Sequence, residues 1–379
     1  MTDLAAPLPW RVPQAAYVHI PFCAHHCGYC DFAVVTGREG QIGAYLDALE
    51  AELATLQTPR PVQTLFVGGG TPSYLPLPAL ERLMGLLRFW FPLAEAGEWS
   101  IEANPESLDA DKIALLAEAG VNRVSLGVQS FDAQELAVLD RAHDPADAIR
   151  AVERLQGRIA RVSLDLIFGI PGQTAARWRD QLRRALDLGV GHLSTYGLTY
   201  EKGTPLWKLR RAGRLLPLDE ESELVLYETA IDTLEAAGLE QYEISNFARP
   251  GQRCRHNETY WANHAYYGVG LGAARYVDFV RSVNTRDFAA YLAGRRTWQE
   301  ECLPPEERAR ETLALQLRRA SGIDRAAFQR QTGYALEAVT SGLACMVEQG
   351  LLVEDGLSVA LTRRGKTLAD AVIERLLRG

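Results

Sequence analysis

Three features are scarce in this 379-residue sequence: cysteine, an excess of positive charge, and long apolar runs. Only six residues are cysteine, and the formal net charge is −8. Because proteins that bind nucleic acid need a broad basic surface, the acidic balance argues against such a partner. No apolar run is long enough to cross a bilayer, and no charged-then-apolar signal precedes the first strand-like segment. We therefore expect a cytoplasmic protein whose cysteines stay reduced.

Half of the few cysteines stand close together. Cys23, Cys27 and Cys30 have the spacing C-x3-C-x2-C and follow a short apolar run. Thiolates are the usual ligands of iron–sulfur clusters. Three local ligands would leave one iron of a [4Fe–4S] cluster open, and an open iron can chelate an amino acid. The alternatives are three unrelated cysteines or a zinc loop without its fourth ligand. Clustering in a chain so poor in cysteine favours the iron–sulfur site.

Strand-like and helix-like segments alternate over the first two thirds of the chain. The strand-like segments are residues 17–20, 64–67, 99–102, 123–129, 161–170 and 192–198. Helix signals follow them: Asp109 and Gly120 are typical of an N-cap and a C-cap, and Asp132 with Glu135 forms a capping-box pattern. Six such repeats argue for a parallel sheet covered by helices, and six units are fewer than the eight of a full barrel. The sequence thus predicts an α/β fold, a partial (β/α)6 barrel open on one side.

The pattern changes near residue 300, so we divide the chain into a core of residues 1–300 and a smaller domain of residues 301–379. Helices in the second part are followed by a hairpin-like stretch over residues 350–362 and a last helix. That order predicts a small C-terminal winged-helix-like α+β domain. Acidic and basic residues are equally numerous there, whereas a DNA-binding wing would be basic. We expect a structural or partner-docking role.

Polar or glycine-rich residues end the predicted strands. In βα barrels the active site lies at the carboxyl ends of the strands, so these distant residues should converge. They include Tyr17, the run Gly68-Gly69-Gly70-Thr71, Glu102, Gln129, Asp165 and Tyr196. A triple glycine alone is more often a tight turn, but beside a cysteine cluster it favours close approach of a ligand to the backbone. For the polar side chains, solvated strand ends or helix caps remain the alternative.

The string Y-x-H-I-P-F-C-x3-C-x-Y-C-D-F resembles the radical S-adenosylmethionine (radical SAM) superfamily. Within it, the string is similar to the branch that holds oxygen-independent coproporphyrinogen III dehydrogenase and the HemW-like heme chaperones. The later motifs G-G-G-T-P, E-x-N-P, G-V-Q and D-L-I-x-G extend the likeness along the chain. The resemblance implies that the three motif cysteines hold a [4Fe–4S] cluster. It also implies a set of S-adenosylmethionine contacts: Tyr17, Tyr29, Gly69, Gly70, Thr71, Glu102, Gln129, Arg141 and Asp165. For the two tyrosines, core packing is the alternative.

Residues 256–261 read H-N-x-x-Y-W and resemble a further motif of the family. Histidine can ligate heme iron, and the aromatic pair could cradle a porphyrin. For His256 as the iron ligand, we favour the alternative of a packed corner in which it bonds to backbone. For proximity of His256, Tyr260 and Trp261 to heme, both interpretations stay open. His25 and His26 could ligate a metal, but a loop tip is more often solvent-exposed, so the predicted site omits them.

Two departures distinguish the branches of the family. Phe32 stands where the dehydrogenase branch usually carries a further cysteine, and only sixteen residues precede Tyr17. Both features favour the HemW-like branch. The resemblance then implies a protein that binds heme and hands it to respiratory hemoproteins, with an electron donor and transient contact with membrane proteins as further partners. Oxidative decarboxylation of coproporphyrinogen III is the alternative, and whether S-adenosylmethionine is cleaved stays open, as does enzyme status.

Overall fold

The structure is a computed structural model and describes residues 8–378. The outermost residues of the two predicted domains, 1–7 and 379, lie outside it. The barrel part contains, in chain order, β1 (Ala15–Ile20), α1 (Ile42–Leu53), β2 (Val62–Gly69), α2 (Leu77–Trp90), β3 (Leu93–Ala103), α3 (Ala110–Ala119), β4 (Arg123–Gln129), α4 (Ala133–Val138), α5 (Pro145–Leu155), β5 (Arg161–Phe168), α6 (Ala175–Asp187) and β6 (His192–Gly197).

The chain then adds shorter elements. These are α7 (Pro205–Arg211), α8 (Glu220–Ala236), β7 (Glu240–Gln241), β8 (Asn246–Ala248), α9 (Arg255–Trp261), β9 (Tyr266–Val269), β10 (Ala274–Val277), β11 (Val280–Asn284), α10 (Phe288–Leu292) and β12 (Thr297–Cys302). The sequence prediction has no counterpart for β7–β12, because most of these strands are too short to show an alternating pattern. No helix within residues 8–378 is both long and apolar enough to span a bilayer.

Strands β1 to β6 pair in sequence order, and every pair is parallel. The sheet continues beyond both ends of this run, in the order β12-β11-β10-β9-β1-β2-β3-β4-β5-β6-β8-β7. Its two end strands do not pair with each other within the described residues. The predicted α/β architecture, a (β/α)6 barrel open on one side, is therefore confirmed.

The register of the parallel strands decides which side chains face the barrel interior. Paired residues in a parallel ladder point the same way, so one set of positions carries the helix-covered core. The fully buried apolar residues of that set include Val18, Val67, Ile101, Val124 and Leu164. The alternate set points inward and is largely polar or aromatic: Tyr17, Phe66, Ser100, Glu102, Ser125, Asp165 and Ser194. The result is an apolar exterior beneath the helices and a polar interior.

The helix ends follow the sequence signals, with one exception. The Asp109 carboxylate accepts a hydrogen bond from the Lys112 backbone N–H, and Gly120 adopts a φ of 101° at the other end of α3. Asp132 caps α4 as predicted. The other bond of the predicted capping box, from the Asp132 N–H to the Glu135 side chain, is wrong. Glu135 turns inward, and its Oε2 accepts from the Ser130 hydroxyl at 2.8 Å.

The C-terminal part has a hydrophobic core of its own, formed by residues that include Leu313, Phe328, Val359 and Leu376. It contains α11 (Pro305–Gln316), β13 (Ile323–Asp324), α12 (Arg325–Thr332), α13 (Leu343–Glu348), β14 (Leu352–Glu354), β15 (Ser358–Leu361), α14 (Arg363–Thr367) and α15 (Ala369–Arg378). The hairpin β14–β15 lies within the predicted stretch, and β13 pairs with β15. This is the winged-helix-like α+β arrangement. The large sheet runs to Cys302, and the division at residue 300 stays a prediction.

A buried ion pair closes the amino end of the barrel. Arg123 Nε donates to Glu98 Oε2 at 3.1 Å, and both side chains are almost fully buried. Arg123 Nη2 also donates to the carbonyls of Gln252 and Arg253, each at 2.9 Å. The backbone N–H of His256 donates to Glu98 Oε1 at 3.2 Å. The pair thereby anchors the segment before and including α9 across the barrel floor.

This pair predicts a large loss of stability when one partner is removed. Arg123→Met leaves the Glu98 carboxylate buried without a cation, and we expect the free energy of unfolding to fall by about 3–5 kcal/mol. Arg150→Met is the control, because it removes a pair with Asp147 whose arginine is half exposed; it should cost less than about 1 kcal/mol. Urea denaturation followed by circular dichroism measures both. Equal, small losses would contradict the role given to the pair.

Candidate functional site

A cavity of about 530 Å³ opens at the carboxyl ends of the parallel strands. The loops that follow the strands line it, as expected for a βα barrel. The cavity brings together the three motif cysteines and eight of the nine predicted S-adenosylmethionine contacts: Cys23, Cys27, Cys30, Tyr29, Gly69, Gly70, Thr71, Glu102, Gln129, Arg141 and Asp165. Their assignment as ligands stays a prediction, but residues from five strands converge on one space.

The three thiols are free and partly buried. Cys23 Sγ lies 3.5 Å from Thr71 Oγ1, and Arg141 Nη1 donates to Cys27 Sγ at 3.4 Å. Burial raises the pKa of Cys23 to about 11 and also raises the pKa of Cys30. Without metal, Cys23 and Cys30 are therefore thiols at neutral pH, whereas bound metal deprotonates a coordinating thiol outright. Three thiols on one loop beside a guanidinium form a donor set that fits an anionic iron–sulfur cluster.

The glycine run is needed for contact within the protein as well as for ligand access. A Cβ on Gly70 would lie 2.8 Å from the carbonyl oxygens of Pro21 and Phe22, directly before the cysteine loop. Gly69 has a φ of 113°, and a Cβ there would lie within 2.6 Å of the His19 ring. Replacing Gly70 by a branched residue would therefore displace the cysteine loop too. The triple glycine reflects tight packing against the Glu102 side chain, the His19 ring and the backbone of Pro21 and Phe22. The sequence pattern could not distinguish this packing from ligand approach.

Two carboxyl groups reach the cavity from β3 and β5, the strands on either side of β4. Glu102 Oε2 accepts from the Gly69 N–H at 2.9 Å, and the Ser125 hydroxyl lies 3.1 Å from both oxygens of Asp165. Burial, and to a smaller extent the charge of Asp165, raises the pKa of Glu102 to about 7. Burial raises the pKa of Asp165 to about 6. A cationic ligand would favour the charged form of both groups, so the pair suits an ammonium or sulfonium compound.

Arg141 joins the cysteine loop to the strand ends. Its Nη2 donates to Asn104 Oδ1 and to the Gly127 carbonyl, each at 2.8 Å. Asn104 in turn donates to Thr71 Oγ1 at 3.0 Å. Gln129 has a φ of 64°, a left-handed conformation that costs energy for a residue other than glycine and is frequent at functional sites. The local backbone at the end of β4 is thus strained where it meets the cavity.

The predicted site omitted several residues that line the cavity. Asn104 belongs to the E-x-N-P motif, so the sequence held a signal for it, and Tyr196 was recognised only as a polar strand end. Ser125 pairs in register with Glu102, a relation that no local pattern reveals. Tyr17 does not line the cavity. Its hydroxyl lies 3.1 Å from His19 Nδ1, and its ring stacks on Phe66 beneath the site.

The H-N-x-x-Y-W residues lie on α9 and do not line this cavity. His256 is buried; its Nδ1 lies 2.9 Å from Thr64 Oγ1 and its Nε2 lies 2.8 Å from the Tyr260 hydroxyl. Burial lowers its pKa to about 3. Both ring nitrogens are thus engaged, by side chains rather than by the expected backbone. The Arg318 guanidinium covers the Trp261 ring at 5.1 Å. Proximity of these residues to heme stays a prediction.

Comparison with known proteins identifies the family. A family model for the radical SAM superfamily matches residues 17–185, and one for the HemN C-terminal domain matches residues 303–368. The heme chaperone HemW of Bacillus subtilis is 37% identical and aligns over 96% of this chain and 99% of its own length. The heme chaperone HemW of Escherichia coli is 35% identical over 96% and 98%. This chain belongs to the HemW family of radical SAM proteins.

A mitochondrial protein and a solved structure are also similar to this chain. A mitochondrial protein of Bos taurus, radical S-adenosyl methionine domain-containing protein 1, is 33% identical over 98% of this chain and 89% of its own length. The solved structure of coproporphyrinogen III oxidase (HemN) from Escherichia coli superposes with a TM-score of 0.84 over 97% of this chain and 91% of that one. At 24% identity this likeness supports the fold alone. This chain and the HemN protein therefore share the overall fold.

The buried carboxyl groups predict a pH-dependent stability. Because the pKa of Glu102 is raised from 4.5 to about 7, the folded state holds its proton more tightly than the unfolded chain does. Ionisation of Glu102 therefore costs stability as the pH rises through this window. We expect Glu102→Gln, which is neutral throughout, to gain free energy of unfolding relative to wild type from about pH 4.5 to about pH 7 and to keep that gain above. Urea denaturation across this range measures the difference; a difference independent of pH would contradict the assignment.

Proposed function

We propose that this protein is a heme chaperone that binds heme and delivers it to respiratory apoproteins, using a [4Fe–4S] cluster and S-adenosylmethionine. Full-length similarity to curated HemW proteins supports the proposal. The observation that carries it is Phe32, which lines the mouth of the cavity and is 66% exposed. The resemblance places a further cysteine there in the dehydrogenase branch, so this chain lacks that thiol at the reacting face.

The residues of the cavity have separate roles in this proposal. Cys23, Cys27 and Cys30 would hold the cluster, whose open iron would bind the amine and carboxylate of S-adenosylmethionine. The backbone at Gly69 to Thr71 would lie along the bound compound. Glu102 and Asp165 would accept hydrogen bonds from its polar groups, because both present carboxylate oxygens to the cavity.

The remaining predicted contacts support this arrangement. Arg141 would neutralise part of the charge of the cluster, since it already donates to Cys27 Sγ. Gln129 and Tyr29 would close the sides of the pocket. Tyr17 would act from beneath, through His19, because it has no surface on the cavity.

Radical decarboxylation of coproporphyrinogen III is the second candidate function. It is favoured by one observation: eight of the nine predicted S-adenosylmethionine contacts line one cavity with the motif cysteines, an arrangement that would serve a cleaved compound as well as a bound one. A cytoplasmic location, an electron donor and transient contact with membrane proteins belong to the same proposal and stay predictions.

The cluster assignment predicts which cysteines retain iron. We expect Cys27→Ala to lose most of its iron after anaerobic reconstitution, because its thiol lies in the loop beside Arg141. Cys345→Ala is the matched control, because Cys345 is exposed and lies in the C-terminal part. Iron and sulfide analysis with absorption spectroscopy measures both. Full iron content in Cys27→Ala, or loss of iron in Cys345→Ala, would contradict the assignment.

The two candidate functions differ in what happens to a porphyrin. We expect the reconstituted protein to bind heme stably and to leave coproporphyrinogen III unchanged during anaerobic incubation with reductant and S-adenosylmethionine. The missing thiol at Phe32 is the reason. Absorption spectroscopy measures heme binding, and chromatography measures protoporphyrinogen IX. Conversion that depends on S-adenosylmethionine would overturn the chaperone proposal in favour of the dehydrogenase.

A further inference from the structure

Two histidines lie at the mouth of the cavity and are not ligands of the proposed cluster. His25 Nε2 lies 3.0 Å from Asp140 Oδ2, and His26 Nε2 lies 3.0 Å from the Cys30 carbonyl oxygen. A carbonyl and a carboxylate are acceptors only, so in each ring Nε2 carries the hydrogen and donates it. In the neutral ring the lone pair then lies on Nδ1. A metal-binding histidine typically donates its other N–H to a carboxylate or a carbonyl in this way.

The two histidines differ in the strength of this support. The partner of His26 is a backbone carbonyl within its own loop. The partner of His25 is a carboxylate from the loop after α4, so a second segment of the chain orients this ring. Asp140 has a φ of 58° and immediately precedes Arg141, which contacts Cys27. The segment that touches the cysteine loop therefore also fixes the ring of His25.

An apolar surface lies beside these rings. Phe32 is 66% exposed and Tyr196 is 42% exposed, and both line the same mouth together with Val34 and Leu198. Two large exposed aromatic rings at one opening are suited to a flat apolar ligand, which would remove their faces from water. On the floor of the barrel, His256 offers no comparable lone pair, because both of its ring nitrogens already have partners.

We propose that heme binds across the mouth of the cavity, with Nδ1 of His25 ligating its iron and the porphyrin face lying against Phe32. The inference rests on the proposed function, since it names the place where the cargo is held. It assigns Asp140 as a positioning residue, because it acts on the iron only through the His25 ring. The porphyrin would then lie directly outside the predicted S-adenosylmethionine pocket.

Titration of the full-length reconstituted protein with hemin tests the site through the heme absorption spectrum. We expect His25→Ala to weaken binding more than tenfold and to shift the Soret band, and we expect added imidazole to reverse the shift. Asp140→Asn keeps the acceptor but removes its charge, and we expect a loss of about tenfold, the lower end for an outer-shell partner. His26→Ala, one position along the same loop, should keep the wild-type spectrum.

Further measurements separate the outcomes. Phe32→Ala should weaken binding without shifting the Soret band, because it removes apolar contact and no ligand. Iron analysis shows whether each variant keeps its cluster. If His25→Ala loses the cluster, the heme affinity of Asp140→Asn alone decides whether the proposed site is correct. A wild-type spectrum and affinity in His25→Ala together with wild-type affinity in Asp140→Asn would overturn the site. Loss of binding in Trp261→Ala with normal binding in His25→Ala would also overturn it. Failure of the wild-type protein to bind hemin would contradict the proposed function itself.

Discussion

The parallel register of the six barrel strands is the constraint on which the site depends. It sends one set of side chains to the helix-covered core and the alternate, polar set into the interior, where each polar group needs a partner. At the floor, Glu98 and Arg123 bond to each other and to the segment before α9. At the carboxyl ends, Glu102 and Asp165 line the cavity, and burial raises the pKa values of both groups. The polar interior therefore holds a buried ion pair at one end and two carboxyl groups that face the cavity at the other.

The two ends are also linked by packed rings. Tyr260 meets His256 at a centroid distance of 4.8 Å, His256 meets Phe66 at 5.2 Å, and Phe66 stacks on Tyr17 at 6.2 Å. Tyr17 in turn contacts His19, whose ring faces Gly69. Because packed interiors transmit displacement, a substitution at the H-N-x-x-Y-W motif can disturb the cavity without touching its ligand. A loss of heme binding in a His256 variant would not by itself locate the heme on the floor.

The sequence was informative where local pattern decides structure. Runs of Val, Ile and Leu, with Asp109 and Gly120 at helix ends, predicted the six repeats and hence the barrel. The short strands β7–β12 escaped prediction, because long-range pairing stabilises them rather than their own pattern. The same reason hid the inward turn of Glu135 and the pairing of Ser125 with Glu102. Gly70 was predicted to be a site residue, but only the folded backbone shows its packing against the Pro21 and Phe22 carbonyls.

Heme transfer tests the central claim most directly. The protein, reconstituted with its cluster and loaded with heme, is mixed with the apo form of a respiratory cytochrome, and the absorption bands of donor and recipient are followed together. The account predicts that the donor spectrum decays while the recipient gains its native heme spectrum, and that recipient activity appears in step. Heme that stays on the donor, or that reaches the recipient no faster than free hemin does, would contradict a delivery function.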